Sequence, residues 1–282
     1  MNRLTTAGLA IIALMLTTLS GCTNTGPGLA SNPSQAVAAS YDNSYMGVNP
    51  ATCWQTPLDA TLSAPSEQQR VARIHLDMGV GYMREGAFEV AAKELKIAQS
   101  LEPKNAKIHN AKALLHLRLG DQNLANQSYQ TALELDPADP EIHNNYGVFL
   151  CGREQLKLAQ EHFQCAISNP LYRTPFMAYT NAGLCAMKEP DIETAEQYFR
   201  TSLQLYGGQA TPHLELAKLS FDRGELDRAE RHYRSYKKMA RHTLDSLRIG
   251  MQIAKARGDL NAYASLELLR RSMLSEQFEM QP

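Results

Sequence analysis

Residues 72–105 read ARIHLDMGVGYMREGAFEVAAKELKIAQSLEPKN, and residues 106–139 read AKIHNAKALLHLRLGDQNLANQSYQTALELDPAD. Laid over one another, the two segments agree at a step of 34. His75, His109 and His143 keep that step, as do Ala91, Ala125 and Ala159, Gly86 and Gly120, and Pro103 and Pro137. After one shift of two residues near Thr174-Pro175, Ala195 and Ala229 resume it, and Gly224 and Gly258 follow. His75, Met78, Gly79 and Tyr82 stand at i, i+3, i+4 and i+7, which is one face of a helix. Gly86 then suits a left-handed helix cap. Ala91, Leu95 and Ala98 share a face of a second helix, which Pro103 stops because proline cannot continue it. Each segment is therefore a helix–turn–helix hairpin.

The same sets return along the chain. They are Ala125, Tyr129, Ala132 with Pro137; Ala159, Phe163, Ala166 with Pro170; Ala195, Phe199, Ser202; and Ala229, Tyr233, Tyr236. Gly79, Ala113, Gly147, Gly183 and Ala217 recur on the first helix, where a small side chain lets the second helix come close. A helical hairpin at this fixed step resembles the tetratricopeptide repeat. The resemblance implies an all-α, right-handed superhelical solenoid of about six repeats, near 72–105, 106–139, 140–173, 176–209, 210–243 and 244–273. The last unit keeps Leu247, Ala254 and Gly258 but has Tyr263 and Glu267 where alanine and an aromatic are expected, as suits a terminal cap with a wetter face.

The chain has 282 residues and a net charge of −1, which excludes a strong whole-chain attraction to nucleic acid or anionic membrane. Residues 1–21 read as an export signal, with Arg3 ahead of an apolar core from Ala7 to Leu19 that is short for a membrane span. Leu19-Ser20-Gly21-Cys22 resembles a bacterial lipobox, which implies cleavage before Cys22 and acylation of its thiol. More than one acyl chain is needed for stable anchoring, and lipoproteins of this type carry several. Thr23, rather than aspartate, after the cysteine implies release toward the outer membrane. Residues 22–65 are rich in Asn, Ser, Thr, Ala and Pro and read as a lipidated flexible tether reaching about 35 Å. Cys53-Trp54 interrupts it, and a local contact with the first repeat is the expectation there. Ser66 with Gln69 resembles a capping box opening the folded domain, 66–273, which a tail, 274–282, follows.

After processing, Cys53, Cys151, Cys165 and Cys185 remain, in a compartment where disulfides persist. Four cysteines allow three complete pairings. Cys151 and Cys185 fall near the ends of neighbouring first helices, so a Cys151–Cys185 bond is expected, with two reduced, packed thiols as the alternative. Cys165, beside Ala166 on a second helix, reads as a buried free thiol. His75, His109, His143 and His213 come one per repeat, about 10 Å apart. Such a row cannot ligate one ion, so packing is their role and no metal or other cofactor is expected.

No Gly-rich phosphate loop, His-Glu-x-x-His or Gly-x-Ser-x-Gly motif occurs, and the chain reads as non-enzymatic. In this repeat family the first helices line an inner groove. Carried over by position, its lining is Arg73, Leu76, Val80, Met83 and Arg84; Lys107, Asn110, Leu114, Leu117 and Arg118; Glu141, Asn144, Val148, Cys151 and Gly152; then Thr180, Leu184 and Met187. An apolar floor with a basic rim suggests a peptide ligand. The Lys–Asn clamp that some chaperone cofactors use for C-terminal carboxylates is not clearly formed. Arg228 to Lys238 is a basic run, read as a solvated helix face.

Asn144-Asn145-Tyr146-Gly147-Val148-Phe149-Leu150-Cys151, Ala166-Ile167-Ser168-Asn169-Pro170-Leu171-Tyr172 and Asn181-Ala182-Gly183-Leu184-Cys185-Ala186 are wordings that generic repeats lack. With the lipobox and six repeats they resemble the type IV pilus biogenesis and stability lipoproteins, the PilF/PilW pilotin family. That resemblance implies an outer-membrane lipoprotein, facing the periplasm, that binds the pilus secretin and helps it reach the outer membrane and multimerise. It also implies ligand contact through the early repeats, a paired cysteine in the middle ones, and contact with other pilus proteins. A different periplasmic scaffold, for outer-membrane barrel assembly or cell-wall enzymes, is the alternative.

Overall fold

The computed structural model describes Cys53, residues 64–190 and residues 192–279. Among the described residues there are twelve helices and no strands. They pair as α1 (Glu67–Arg84) with α2 (Phe88–Leu101), α3 (Ala106–Arg118) with α4 (Gln122–Leu135), and α5 (Pro140–Gly152) with α6 (Leu156–Ser168). Then come α7 (Pro175–Ala186) with α8 (Ile192–Leu205), α9 (Ala210–Asp222) with α10 (Leu226–Met239), and α11 (Leu244–Ala256) with α12 (Leu260–Glu279). The result is an all-α superhelix of stacked hairpins.

Helix starts follow from local chemistry. Ser66 accepts from the Gln69 N–H and donates its own N–H to the Gln69 side chain, the capping box expected from sequence. Asn105, Asp121 and Asp139 cap α3, α4 and α5 through side-chain oxygens that accept from free backbone N–H groups. Thr243 and Ser246 form a second capping box at α11. Gly86, Gly120, Gly224 and Gly258 turn the chain between paired helices at φ of 74–82°. Glu154 takes the same turn in the third hairpin at φ 62°, without glycine's freedom.

Each hairpin closes on one small-to-large contact. The recurring alanines Ala91, Ala125, Ala159, Ala195 and Ala229 are all fully buried. Beside them Leu95, Phe163 and Phe199 lie against Gly79, Gly147 and Gly183 of the first helix, while Tyr129 and Tyr233 are buried at the same place and Tyr233 reaches Gly250 of the next hairpin. A Cβ on Gly147 would lie 2.7 Å from the Phe163 ring, and one on Gly183 equally close to Phe199. In the last hairpin Glu267 replaces the aromatic and pairs with Arg270 and Arg271. Hydrogen bonds from these two arginines hold its carboxyl at about 2.

Candidate functional site

The row of histidines begins the account of what joins one hairpin to the next. His109 Nε2 lies 2.8 Å from the Pro103 carbonyl, and His143 Nε2 lies 2.9 Å from that of Pro137. Each of these two histidines therefore ties its own hairpin to the loop that leaves the one before. The other ring nitrogen faces a partner nineteen residues on. His75 Nδ1 sits 2.6 Å from Glu94, His143 Nδ1 2.8 Å from His162 Nδ1, and His213 Nδ1 3.1 Å from His232 Nδ1. Because the carbonyl of Pro137 can only accept, His143 carries its proton on Nε2, and its Nδ1 accepts from His162. Burial, with the neighbouring histidine second, pulls His162 and His232 down to about 4. Among the described residues no cluster of three or more His, Cys, Asp or Glu converges as metal ligands would.

The first helices α1, α3, α5 and α7 bring the groove residues side by side. Val80, Leu114, Val148 and Leu184 occupy the same place in four successive hairpins and form an apolar row, which Lys218 and Gln252 end in the fifth and sixth. Val148 and Leu184 are 45% and 38% exposed, so the row opens most at α5 and α7; Met177, two turns before Leu184 on α7, is 47% exposed. Leu76, Val80 and Met83 pack against a small core shared by the first hairpin and α3, and Leu114 and Leu117 against the main core. All five are half-buried. Arg73, Arg84, Lys107 and Arg118 stand exposed at the rim.

The amides behave differently from a ligand-facing lining. Asn110 and Asn144 are buried and committed to each other's neighbours. Asn181 Nδ2 donates to Asn144 Oδ1 at 2.9 Å, Asn144 to Asn145 at 3.5 Å, and Asn145 Nδ2 to Asn110 Oδ1 at 3.2 Å. A ladder of four asparagines thus crosses α3, α5 and α7 beneath the apolar row. Thr180 is likewise buried, bonded to Ser202, Gln209 and the Phe176 carbonyl. These polar groups build the floor, and the exposed aliphatics and rim cations are what a ligand would meet.

Cys151 is buried in a disulfide with Cys185, with Cα atoms 5.8 Å apart, linking α5 to α7. Lys188 Nζ donates to the Cys151 carbonyl at the same seam. Cys165 is not a free thiol: it is bonded to Cys53, 112 residues earlier, with Cα atoms 5.2 Å apart. The reason is position on the helix. Ala159, Phe163 and Ala166 face inward on α6, whereas Leu158, Glu161, Cys165 and Ser168 lie on its outer side, within reach of chain from outside the repeats. Cys22 and Trp54 lie outside the described residues.

Sequence reading missed the acidic hub on the other side of the array. Glu196 on α8 is 8% exposed and meets Arg200, Arg223 and Arg228, the last at 2.8 Å. It locks the fourth hairpin to the fifth. The 34-residue step does not mark it, because the same place holds Ala92, Asn126 and Gln160 in the earlier hairpins, and Glu230, its counterpart in the fifth, pairs only with Arg234 of its own helix.

Six stacked helical hairpins with an apolar inner row give the chain the tetratricopeptide-repeat superhelical fold. The TPR repeat family model matches residues 117–150. The chain is 28% identical over 207 residues to the type IV pilus assembly protein PilF of Pseudomonas aeruginosa, covering 73% of this chain and 82% of that protein. The solved structure of Pseudomonas aeruginosa PilF superposes with a TM-score of 0.70 at 25% identity, over 77% of this chain and 100% of that one. The crystal structure of PilW, described as a widely conserved type IV pilus biogenesis factor, gives 0.64 at 29% identity, over 75% and 96%. The chain is homologous to the PilF and PilW type IV pilus biogenesis proteins.

Proposed function

We propose that this protein is a non-enzymatic adaptor, a pilotin, held in the outer membrane by lipid on Cys22 and facing the periplasm. Its groove binds a segment of the type IV pilus secretin and promotes the secretin's delivery and multimerisation. The homology to PilF and PilW carries the pilus assignment. The open apolar row at Val148 and Leu184, with exposed Met177 on the same helix as Leu184 and a rim of Lys107 and Arg118, supports a peptide ligand anchored by side chains. Mechanistically no bond is made or broken. The anchor confines the adaptor to the membrane and raises the local concentration of captured secretin subunits. The test is the state of the secretin in cells with and without this gene. Membranes are fractionated and heat-stable multimers run on a gel. Loss of multimers, or their displacement from the outer membrane, is expected on deletion; normal multimers in the outer membrane would remove the proposed client.

A further inference from the structure

We infer that the last hairpin holds a cationic pocket, between α11 and α12, for acidic side chains of the peptide that lies in the groove. The inference rests on the peptide-binding reading above and adds the ligand's charge to it.

In the other five hairpins, three places on the 34-residue step hold a small residue, a fully buried alanine and a large buried side chain. In the sixth they hold Met251, Tyr263 and Glu267, all half-buried. A cavity of about 320 Å³ opens there, lined by Arg248, Met251, Gln252, Lys255, Tyr263 and Arg270. That size suits a ligand group, since such sites run from roughly 300 to 1,000 Å³.

The charged lining is all positive: Arg248, Lys255 and Arg270 line the cavity and no acid does. Asp245 is shared by Arg248, at 2.9 Å, and Lys218, while Glu267 is shared by Arg270 and Arg271. Lys218 also holds Glu215. Five cations thus share three acids, and the exposed Lys255 pairs with none among the described residues. A terminal cap needs polar groups but no excess of one sign. The excess, with the Tyr263 hydroxyl as a further donor, fits carboxylates.

The pocket opens on the row that lines the groove. Arg248, Gln252 and Lys255 stand one repeat step after Leu214, Lys218 and Phe221, and two after Thr180, Leu184 and Met187. From Leu184 to the pocket is two hairpins, about 20 Å at roughly 10 Å each. An extended peptide covers that in about six residues. Lys218, in between, is already neutralised by Glu215 and Asp245. This continuity favours a peptide over a membrane surface, which could not follow an inner row.

The test uses the full-length protein and a rhodamine-labelled peptide, amidated at its C-terminus, with two leucines, a Gly/Ser spacer of about six residues and two glutamates. A twin carries glutamines instead. Fluorescence anisotropy at low ionic strength should show the glutamate peptide binding about fivefold tighter or more, and added salt should erase the difference. The double variant Arg248→Gln/Lys255→Gln should lose the preference. Lys238→Gln, which removes an exposed charge from α10, should keep it. Equal binding of the two peptides, binding of neither, or a preference that survives the double variant overturns the inference. So does a glutamine twin with a free C-terminal carboxylate that binds as tightly as the glutamate peptide, since the pocket would then take chain ends. Secretin that multimerises normally without this protein, while the glutamate preference holds, overturns the proposed client and leaves the pocket standing.

Discussion

Gly147 on α5 lies directly against the ring of Phe163 on α6, with no room between them for a methyl group. The pair sets the approach of the two helices in the third hairpin, and Gly183 with Phe199 repeats it in the fourth. Gly147→Ala should therefore cost about 1–3 kcal/mol of stability, because a packed core resists an added carbon. Gly81 on α1 is the control. Nothing lies within 4 Å of a Cβ there, so Gly81→Ala should stabilise by about 0.5–1 kcal/mol through helix propensity alone. Urea unfolding with an unchanged slope distinguishes the two; equal effects would refute the packing account.

Glu154 holds the turn that glycine holds in four other hairpins. A left-handed backbone costs a side-chain-bearing residue about 1–2 kcal/mol. Glu154→Gly should stabilise by about 0.5–1 kcal/mol after glycine's greater unfolded-state entropy is deducted, seen as a raised midpoint of thermal unfolding. A lowered midpoint would mean that the Glu154 side chain contributes more than its backbone costs.

The arginine hub predicts an asymmetric mutational result. Removing Glu196 leaves Arg200 and Arg223 without their acid, while Arg228 keeps Glu225. Glu196→Ala should destabilise by about 1 kcal/mol, since the arginines it leaves behind are partly solvated. Glu196→Gln, which keeps two hydrogen-bonding atoms, should cost less. Hydrogen exchange should locate the loss at the seam between α8 and α10.

Acid should loosen the array through its histidine pairs. His162 and His232 titrate at about 4 in the folded protein because burial disfavours their charged form. In the unfolded chain an ordinary histidine titrates near 6.5, so between those values the unfolded chain binds more protons. Stability is fully present above about pH 6.5 and is lost as pH falls toward 4, by roughly 1–3 kcal/mol per pair. Asp136 and Asp139 oppose the shift at His143 and do not reverse it. The double variant His162→Gln/His232→Gln should flatten the slope of stability in that window; an unchanged slope would assign the pH response to other groups.

For the groove, Leu114→Glu and Val148→Glu should each weaken partner binding at least tenfold, because a charge on an apolar anchor must be desolvated. Val148 is the sharper probe, since its exposure makes unfolding a minor contributor. Binding measured on protein with an unchanged helical spectrum separates lost contact from lost fold.

Whatever recurs at the 34-residue step was legible before any coordinates. The buried alanines, the small residue opposite an aromatic and the glycine turns all lie on that period, because each hairpin solves the same packing problem. The histidine pairs were half legible. His162 and His232 follow His143 and His213 by the same nineteen residues, a regularity that could have revealed them. Asn110 and Asn144 read as groove-lining because their positions face inward, but their amides are spent on Asn145 and Asn181. The Cys53–Cys165 bond was not legible, since one partner lies outside the repeats and no period relates them. The hub at Glu196 escaped for a similar reason, being a contact between one hairpin and the next that only one seam makes.

The asparagine ladder also has a mechanical side. Bonds from Asn110 to Asn181, together with the Cys151–Cys185 bridge, brace the inner edge of the second, third and fourth hairpins, as Lys218 and Asp245 brace the fifth to the sixth. Between α1 and α3 no such side-chain bond occurs among the described residues. The solenoid is therefore a spring braced along its inner edge at α3, α5 and α7, while its first coil is tied to the second nearer the outer layer, by His109 on the Pro103 carbonyl and Lys112 on Gln99. A load transmitted through a partner bound in the groove would meet its stiffest edge in the second, third and fourth hairpins.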